Sequence, residues 1–575
     1  MANIQISLLK FIESYKKEII LGFLFLIGAV FGGSHYLTWN DIVENAAFKA
    51  GLVEYSIETP QYYFQNRLNS FFYVAAEALL HLGFSEYTLA ILTSSFLGGL
   101  SFFTLGYIGL RFFFSYWVIA AVIMVDYFLL YEFGVNYDVS IVNTKNPQGH
   151  FGLIASLLIL TYHSESRSKK SAFLMGCSSI FHLTLGAWII TGLLLFEVIE
   201  KNVKDYKRTL LPMFLGILTS FLFYTVTSAP GASSFFKADS GEFFKYLQLW
   251  DLHQQPYSFL DKGIWVSMII LISLFFVKTE KVLKTTFSAF FFIAILHGFL
   301  GHRLHFMIPN IWWGLMPSRL LNFIILFGSS FFFLNALRKK TLASSLTLLL
   351  YSIVFFNILY IGKGEILFSN QIEKYKNLLF GLYLGSFLLL ILSQYLSFLQ
   401  KDSKIPHTTL RGIIGMAFII TLGTQFYYLP NAYSFNRAEL KYYKNDSQLM
   451  DLNNEATLLL TSPSIKQFQL ISGKAIVFEL DTIDDLLYNP EKIQDSSKYI
   501  ADLYGIDFFS PQKDFRNNIE LLDSWVKINW ESKDSLNWSS LKERYHFSHI
   551  ITPASWNLKL EVQIETKKWK AYKVN

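Results

Sequence analysis

The stretch EIILGFLFLIGAVFGGS, residues 18–34, carries no charge after its first residue. It is long enough to cross a bilayer, whose hydrocarbon core takes roughly 20 residues of helix. Comparable runs recur at 87–110, 114–133, 150–163, 209–228, 264–278, 285–301, 319–337, 341–361, 376–399 and 410–428. Such repetition admits one class of fold, a bundle of membrane-crossing helices, because an isolated helix satisfies its own backbone in lipid. The first run lacks a small-residue cleavage site and precedes further spans, so it reads as a retained helix extending over 18–37. Only 16% of the residues are charged and 52% are hydrophobic, which excludes an ordinary water-soluble chain. The short alternating segments of an outer-membrane barrel are missing. Cys177 is the single cysteine, so an intramolecular disulfide and a thiolate cluster are both excluded. The net charge of +6 carries no nucleic-acid signal, because in a membrane protein the placement of Lys and Arg matters more than their sum.

Placement is informative around SAFLMGCSSIFHLTLGAWIITGLLLFEVIE, residues 171–200. Basic loops flank it on both sides, SESRSKK before and KNVKDYKR after. A single crossing would set them on opposite faces, against the preference of basic loops for the cytoplasm. A re-entrant pair of helices breaking near His182 keeps every basic loop inside. The expectation is an α-helical polytopic protein of about 13 membrane segments in the cytoplasmic (inner) membrane. Its N-terminus is cytoplasmic. Non-helical backbone inside a membrane must be buried in protein or face water, so the break, with His182, is expected to line a cavity.

The outside face then holds loops at about 38–86, 134–149, 229–263, 302–318 and 362–375, together with a tail. The division is a transmembrane domain over 1–428 and an extracytoplasmic α/β domain over 429–575. In the tail, EATLLLTSP, KAIVFEL, SHIITP and KLEVQIETKKWKAYKV read as strands, while SIKQFQLISG and SSKYIADLYG read as helices ending at glycine. The tail has no phosphate-binding glycine loop and no nucleophile elbow. It is expected to cover or shape the membrane site. Asp481, Asp484 and Asp485 read as acids at a helix start.

The order after the first span is an acidic loop (HYLTWNDIVENAAF), an amphipathic helix, an interfacial helix at 66–82, then a second span. This order resembles that of the GT-C superfamily of membrane glycosyltransferases. So do the broken hairpin at GCSSIFHLTLG, the helix start MPSRLLNFIILF, and the tail segments LLLTSPSIKQFQLISGKAIVFELDTI, YGIDFF, HFSHIITP and WKAYKV. The resemblance implies transfer of a sugar from a polyprenyl-phosphate-linked donor to a glycan, lipid or protein acceptor on the outer face of the membrane. It also implies an essential acid in the first outer loop. NDIVE departs from the paired-acid signature of better-known members.

Such chemistry needs a base for the acceptor hydroxyl and positive charge for the departing phosphate. If the segment is helical, Asp41 and Glu44 share one face. Asp41 is the candidate base, with Glu44 orienting it or holding a metal; the competing reading is an acidic first turn capped by Asn40 or Asp41. Candidates for the phosphate are Arg303, Arg319, His302, His253 and Lys145, of which arginine best matches phosphate geometry. Snorkelling to headgroups is the alternative for the arginines and Lys145. A divalent cation, Mg or Mn, between Asp41 and Asp138 is a further option, and His302 with His305 could share one helical face. Trp312 and Trp313 read as members of the interfacial aromatic belt. The alternatives in function are a transporter or flippase of lipid-linked saccharide, a non-catalytic scaffold, and a polysaccharide polymerase or ligase. Asp126 is the clearest acid inside a span.

Overall fold

The computed structural model describes residues 16–57, 59–112, 134–137, 139–200, 207–227, 240–259, 261–276, 280–328, 452, 457–465, 468–512, 515 and 518–575. The expected spans at 114–133, 341–361, 376–399 and 410–428 lie outside the described residues, as do Asp126 and Asp138.

Nine helices occupy the first part of the described chain up to residue 227. They are α1 (Lys16–Ser34), α2 (Asp41–Lys49), α3 (Pro60–Arg67), α4 (Phe71–His81), α5 (Glu86–Phe112), α6 (Pro147–Ser166), α7 (Lys169–Cys177), α8 (Leu183–Ile199) and α9 (Leu210–Thr227). Next come α10 (Ser240–Leu249), α11 (Lys262–Phe276), α12 (Lys281–Leu296) and the short α13 (Asn310–Gly314). Among the described residues, five helical segments are long and apolar enough to cross a membrane: Lys16–Ser34, Glu86–Leu110, Leu210–Thr227, Lys281–Gly301 and Asn310–Gly328. This is the composition of a multi-pass membrane protein.

Lipid offers no hydrophobic drive for helix pairing, so close backbone contact between small residues takes over. α1 and α5 meet in this way. A Cβ on Gly28 would fall 2.2 Å from the Gly98 carbonyl oxygen, and one on Gly32 would fall 2.0 Å from that of Ser94. The connection between them holds α2, α3 and α4.

The chain turns back on itself at His182. His163 near the end of α6 bonds Ser171 at the start of α7, 2.9 Å apart. A Cβ on Gly152, near the start of α6, would lie 2.2 Å from the Cβ of His182. α7 is thus antiparallel to α6. α8 then returns, since the Arg167 guanidinium stands 4.9 Å from the Phe196 ring. Both flanks of the break therefore sit at the same end of the bundle. The charge argument from the sequence requires this of a hairpin.

The tail folds around a four-stranded sheet. Its elements are β1 (Leu459–Thr461), α14 (Phe468–Ser472), α15 (Ile493–Tyr499), α16 (Ile519–Ser532), α17 (Ser535–Tyr545), β2 (His549–Pro553), β3 (Val562–Glu565) and β4 (Trp569–Lys573). The strand order is β1-β2-β4-β3, with β1 parallel to β2 and the other pairs antiparallel. Gly473 and Gly505 take positive φ of 71° and 69° where helical turns end, a conformation that only glycine adopts without strain. KAIVFEL is not a strand: Ile476 makes one isolated bridge to Leu459, and the chain coils into a 3-10 turn over Leu480–Leu487. An apolar run of strand length was needed here to fill the core, where Val477 and Phe478 are buried.

That core does not stop at the tail. Trp530 packs edge-on against Trp538 and Trp556, at 5.5 and 5.6 Å. The same cluster of buried side chains continues through Tyr246 of α10 and Trp250 just after it, and through Trp313 and Met316. Trp250 donates to the Phe508 carbonyl at 2.8 Å. Trp313 is only 2% exposed, and its neighbours are the rings of His297 and His302. It belongs to this interior and not to an interfacial belt.

Candidate functional site

Loops that join the helices meet at one end of the bundle. Thr144 donates to the His35 carbonyl at 2.6 Å, Asn136 to that of Gln255 at 2.9 Å, and Gln254 to that of Trp313 at 3.0 Å. The residues that carry chemistry lie where these loops converge.

Asn40 caps α2, its side chain accepting from the backbone of Ile42 and Val43 at 3.2 and 3.0 Å. This cap frees Asp41 to point elsewhere. α6 begins with Pro147, and its Asn146 makes no side-chain cap. Asp41 supplies one from a distance: its Oδ1 accepts from the Gln148 N–H at 3.3 Å. A carboxylate at a helix N-terminus is favourable. Even so, burial outweighs it. Desolvation pushes the Asp41 carboxyl up from 3.8 to about 8, the Gln148 N–H opposes this, and the nearby negative charge of Glu44 adds to it. The Ile42 N–H and Arg319 pull it back more weakly. A carboxylate so placed holds a proton readily near neutral pH, which suits a general base.

The shift has a consequence for stability. The folded protein retains the Asp41 proton over a range where the unfolded chain has lost it, so stability falls as pH rises from about 4 to about 8 and then levels. Asp41→Asn keeps an acceptor for Gln148 but does not ionise. Its melting temperature relative to wild type is expected to rise between pH 5 and pH 8, as measured by thermal unfolding in one detergent.

Glu44 does a different job. It is buried, and its Oε1 accepts from Tyr55 at 2.6 Å, Gln61 at 3.0 Å and Gln65 at 3.2 Å. Burial raises its proton affinity, while these three donors oppose the rise. Asn45 bonds both the backbone and side chain of Gln65 at 2.8 Å, and Lys49 bonds the Leu68 carbonyl at 2.7 Å. The outward faces of α2 are thus spent on holding residues 55–69. Glu44→Ala would leave buried donors without an acceptor, each costing about 1–3 kcal/mol. It is expected to destabilise the fold by at least about 2 kcal/mol in denaturant titration, while Glu44→Gln, which keeps one acceptor oxygen, should lose less than half as much.

Arg319 ends a 3-10 turn, Pro317–Arg319, that follows Met316 in the left-handed region at φ 49°. Its guanidinium carbon stands 4.3 Å from the centre of the Tyr137 ring, and Tyr137 in turn stacks on His253 at 4.4 Å. His253 is fixed by its Nδ1 contact to the Asn136 carbonyl at 3.0 Å and by Asp251, which accepts from its backbone N–H at 2.7 Å. Arg319 Nη1 approaches His182 Nε2 at 3.4 Å, while His182 Nδ1 faces the Thr184 hydroxyl at 3.2 Å. The same Nδ1 caps α8, with the Leu185 N–H at 3.5 Å. Among the described residues no carboxylate lies within ion-pair distance of Arg319. A partly buried guanidinium held by the Tyr137 ring face and an imidazole is ready for an anion.

The sequence candidates thus separate. Asp41, Arg319, His182 and His253 come together. Arg303 is exposed. His302 is held by the Gln254 carbonyl at 2.5 Å, and His305 stacks on Phe244 at 3.7 Å. Lys145 is exposed, and its carbonyl, not its ammonium, meets the Asp41 N–H at 3.3 Å. Asp138 is outside the described residues, and among those described no three His, Cys, Asp or Glu side chains gather as a metal set. The Oε1 of Glu44 is committed to three donors, and no step below is routed through a metal.

Sequence reasoning passed over Gln148, Tyr137 and Tyr488. Gln148 is buried; its Nε2 donates to the Phe181 carbonyl at 2.7 Å, and its Oε1 has no hydrogen-bond partner among the described residues. Tyr73 lies within electrostatic reach of Asp41, Glu44, Tyr488 and Asp485, which ties the tail to the first loop. No family model matches the chain and no curated protein is similar enough to count as a relative, so function is argued from the site itself.

Proposed function

We propose that the protein is a glycosyltransferase of GT-C type that moves a sugar from a polyprenyl-phosphate-linked donor to an acceptor hydroxyl. The observation that carries this reading is the proximity of a proton-accepting carboxylate, Asp41, to an arginine that has no carboxylate within ion-pair distance among the described residues, at one end of a membrane-crossing bundle. Asp41 takes the proton of the acceptor hydroxyl as its oxygen attacks the anomeric carbon. The bond from that carbon to the phosphate oxygen breaks, and the phosphate leaves with the electron pair, stabilised by Arg319. His182 and Tyr137 hold the guanidinium in place. In this reading the site faces outward from the cytoplasmic membrane, the N-terminus is cytoplasmic, and the tail is extracytoplasmic. Glycan, lipid or protein acceptors of the cell envelope fit this placement.

The test uses the full chain reconstituted in liposomes with a panel of polyprenyl-phosphate-linked sugars and candidate acceptors. Mass spectrometry follows the lipid. Free polyprenyl phosphate together with glycosylated acceptor is the expected result. Movement of intact lipid-linked sugar between leaflets without cleavage would identify a flippase and overturn the proposal.

A further inference from the structure

The tail is joined to the first loop at the end of α3. Arg67 at the end of α3 pairs with Glu491 at 2.9 Å and bonds both the carbonyl of Tyr488, at 3.3 Å, and the side chain of Asn489. Asn489 is fully buried and donates back to the Pro60 carbonyl at 3.2 Å. Phe64 packs against the Tyr488 ring at 5.1 Å. These contacts fix the backbone on both sides of Tyr488 and aim its ring inward. Its hydroxyl reaches the Sδ of Met316 at 3.6 Å, three residues before Arg319. A thioether is a weak acceptor. Among the described residues the hydroxyl thus has no strong hydrogen-bond acceptor. Tyr488 is partly buried. Tyr488 and Arg319 also interact electrostatically.

We propose that the tail forms a working wall of the Arg319 pocket, with the Tyr488 hydroxyl donating to the same anionic group that Arg319 pairs with. This rests on the assignment of a lipid-linked phosphate to Arg319 made above. The consequence is that the α/β tail is part of the donor site, which is incomplete without it. A docked tail brings the hydroxyl to the phosphate; a tail released from Arg67 withdraws it.

The experiment measures binding of a polyprenyl phosphate and of the uncharged polyprenol to the full chain in nanodiscs. Tyr488→Phe removes one hydroxyl and keeps the ring against Phe64. It is expected to weaken polyprenyl phosphate binding about tenfold, as loss of a hydrogen bond to a charged group does, and to leave polyprenol binding unchanged. Arg67→Gln, which loosens the Tyr488–Glu491 segment without entering the pocket, should shift phosphate binding in the same direction. If Arg319→Ala loses phosphate binding while Tyr488→Phe and Arg67→Gln retain it, the tail is not part of the site and the inference fails alone. If wild type shows no preference for the phosphate over the alcohol, the phosphate assignment fails and this inference fails with it.

Discussion

Asp41→Asn is expected to cut sugar transfer by a factor of about 10²–10⁴, the range that a positioned general base contributes. The substitution is close to neutral in structure. The asparagine Oδ1 still accepts from the Gln148 N–H, so the start of α6 stays capped. What is lost is the ability to take a proton. Binding of the donor is therefore expected to hold, with the loss confined to kcat, as for an interaction made only in the transition state. The pH profile adds a second readout. A base pushed up to about 8 is protonated below that pH, so wild-type kcat/KM should rise with pH through an acid limb near 8. Residual activity in the asparagine variant should lack that limb. Full activity of Asp41→Asn would reduce Asp41 to a helix cap supplied in trans.

Arg319→Ala is expected to weaken binding of a polyprenyl-phosphate donor by about ten- to a hundredfold, since charge-assisted hydrogen bonds contribute about 1.5–3 kcal/mol. Arg319→Lys should recover only part of this. Lysine is a compact point charge without the planar fork, whereas the guanidinium carbon sits 4.3 Å from the centre of the Tyr137 ring. Arg303→Ala provides the comparison. Arg303 is exposed beyond the end of α12, and its removal should leave donor binding within a factor of about two, as is usual for surface charge. Equilibrium binding in nanodiscs, with all three variants side by side, separates the two arginines.

How far the sequence could be read depended on the kind of force at work. The described spans were legible because lipid imposes length and apolarity on each helix by itself. Residues expected at 18–37, 87–110 and 209–228 are helical over 16–34, 86–112 and 210–227. The reversal at His182 was legible because charge near a membrane has a side, and two basic flanks cannot lie on opposite faces. Asp41 was legible by position, since it is the first acid after the first span. Its partner was not. Arg303 and Arg319 are alike as letters, each beside an apolar run. Only the left-handed turn at Met316, with Tyr137 and His182 arriving from far apart in the chain, distinguishes the second. Tyr488 was illegible for the same reason. Arg67 and Glu491 lie 424 residues apart, and nothing local to either one announces the other. In KAIVFEL the apolar pattern fits a strand or a buried loop equally well, and the tail's core took it as the latter. Glu44 shows the opposite case. A polar residue conspicuous in sequence proved to be a structural acceptor for Tyr55, Gln61 and Gln65, which leaves Asp41 as the open acid.

The most direct measurement is a structure of the protein holding a non-cleavable phosphonate analogue of a polyprenyl-phosphate-linked sugar. Our account predicts the phosphonate within hydrogen-bond reach of Arg319 and the Tyr488 hydroxyl, with the anomeric carbon turned toward Asp41. A phosphonate seated at Arg303 or Lys145, or a sugar directed away from Asp41, would contradict it.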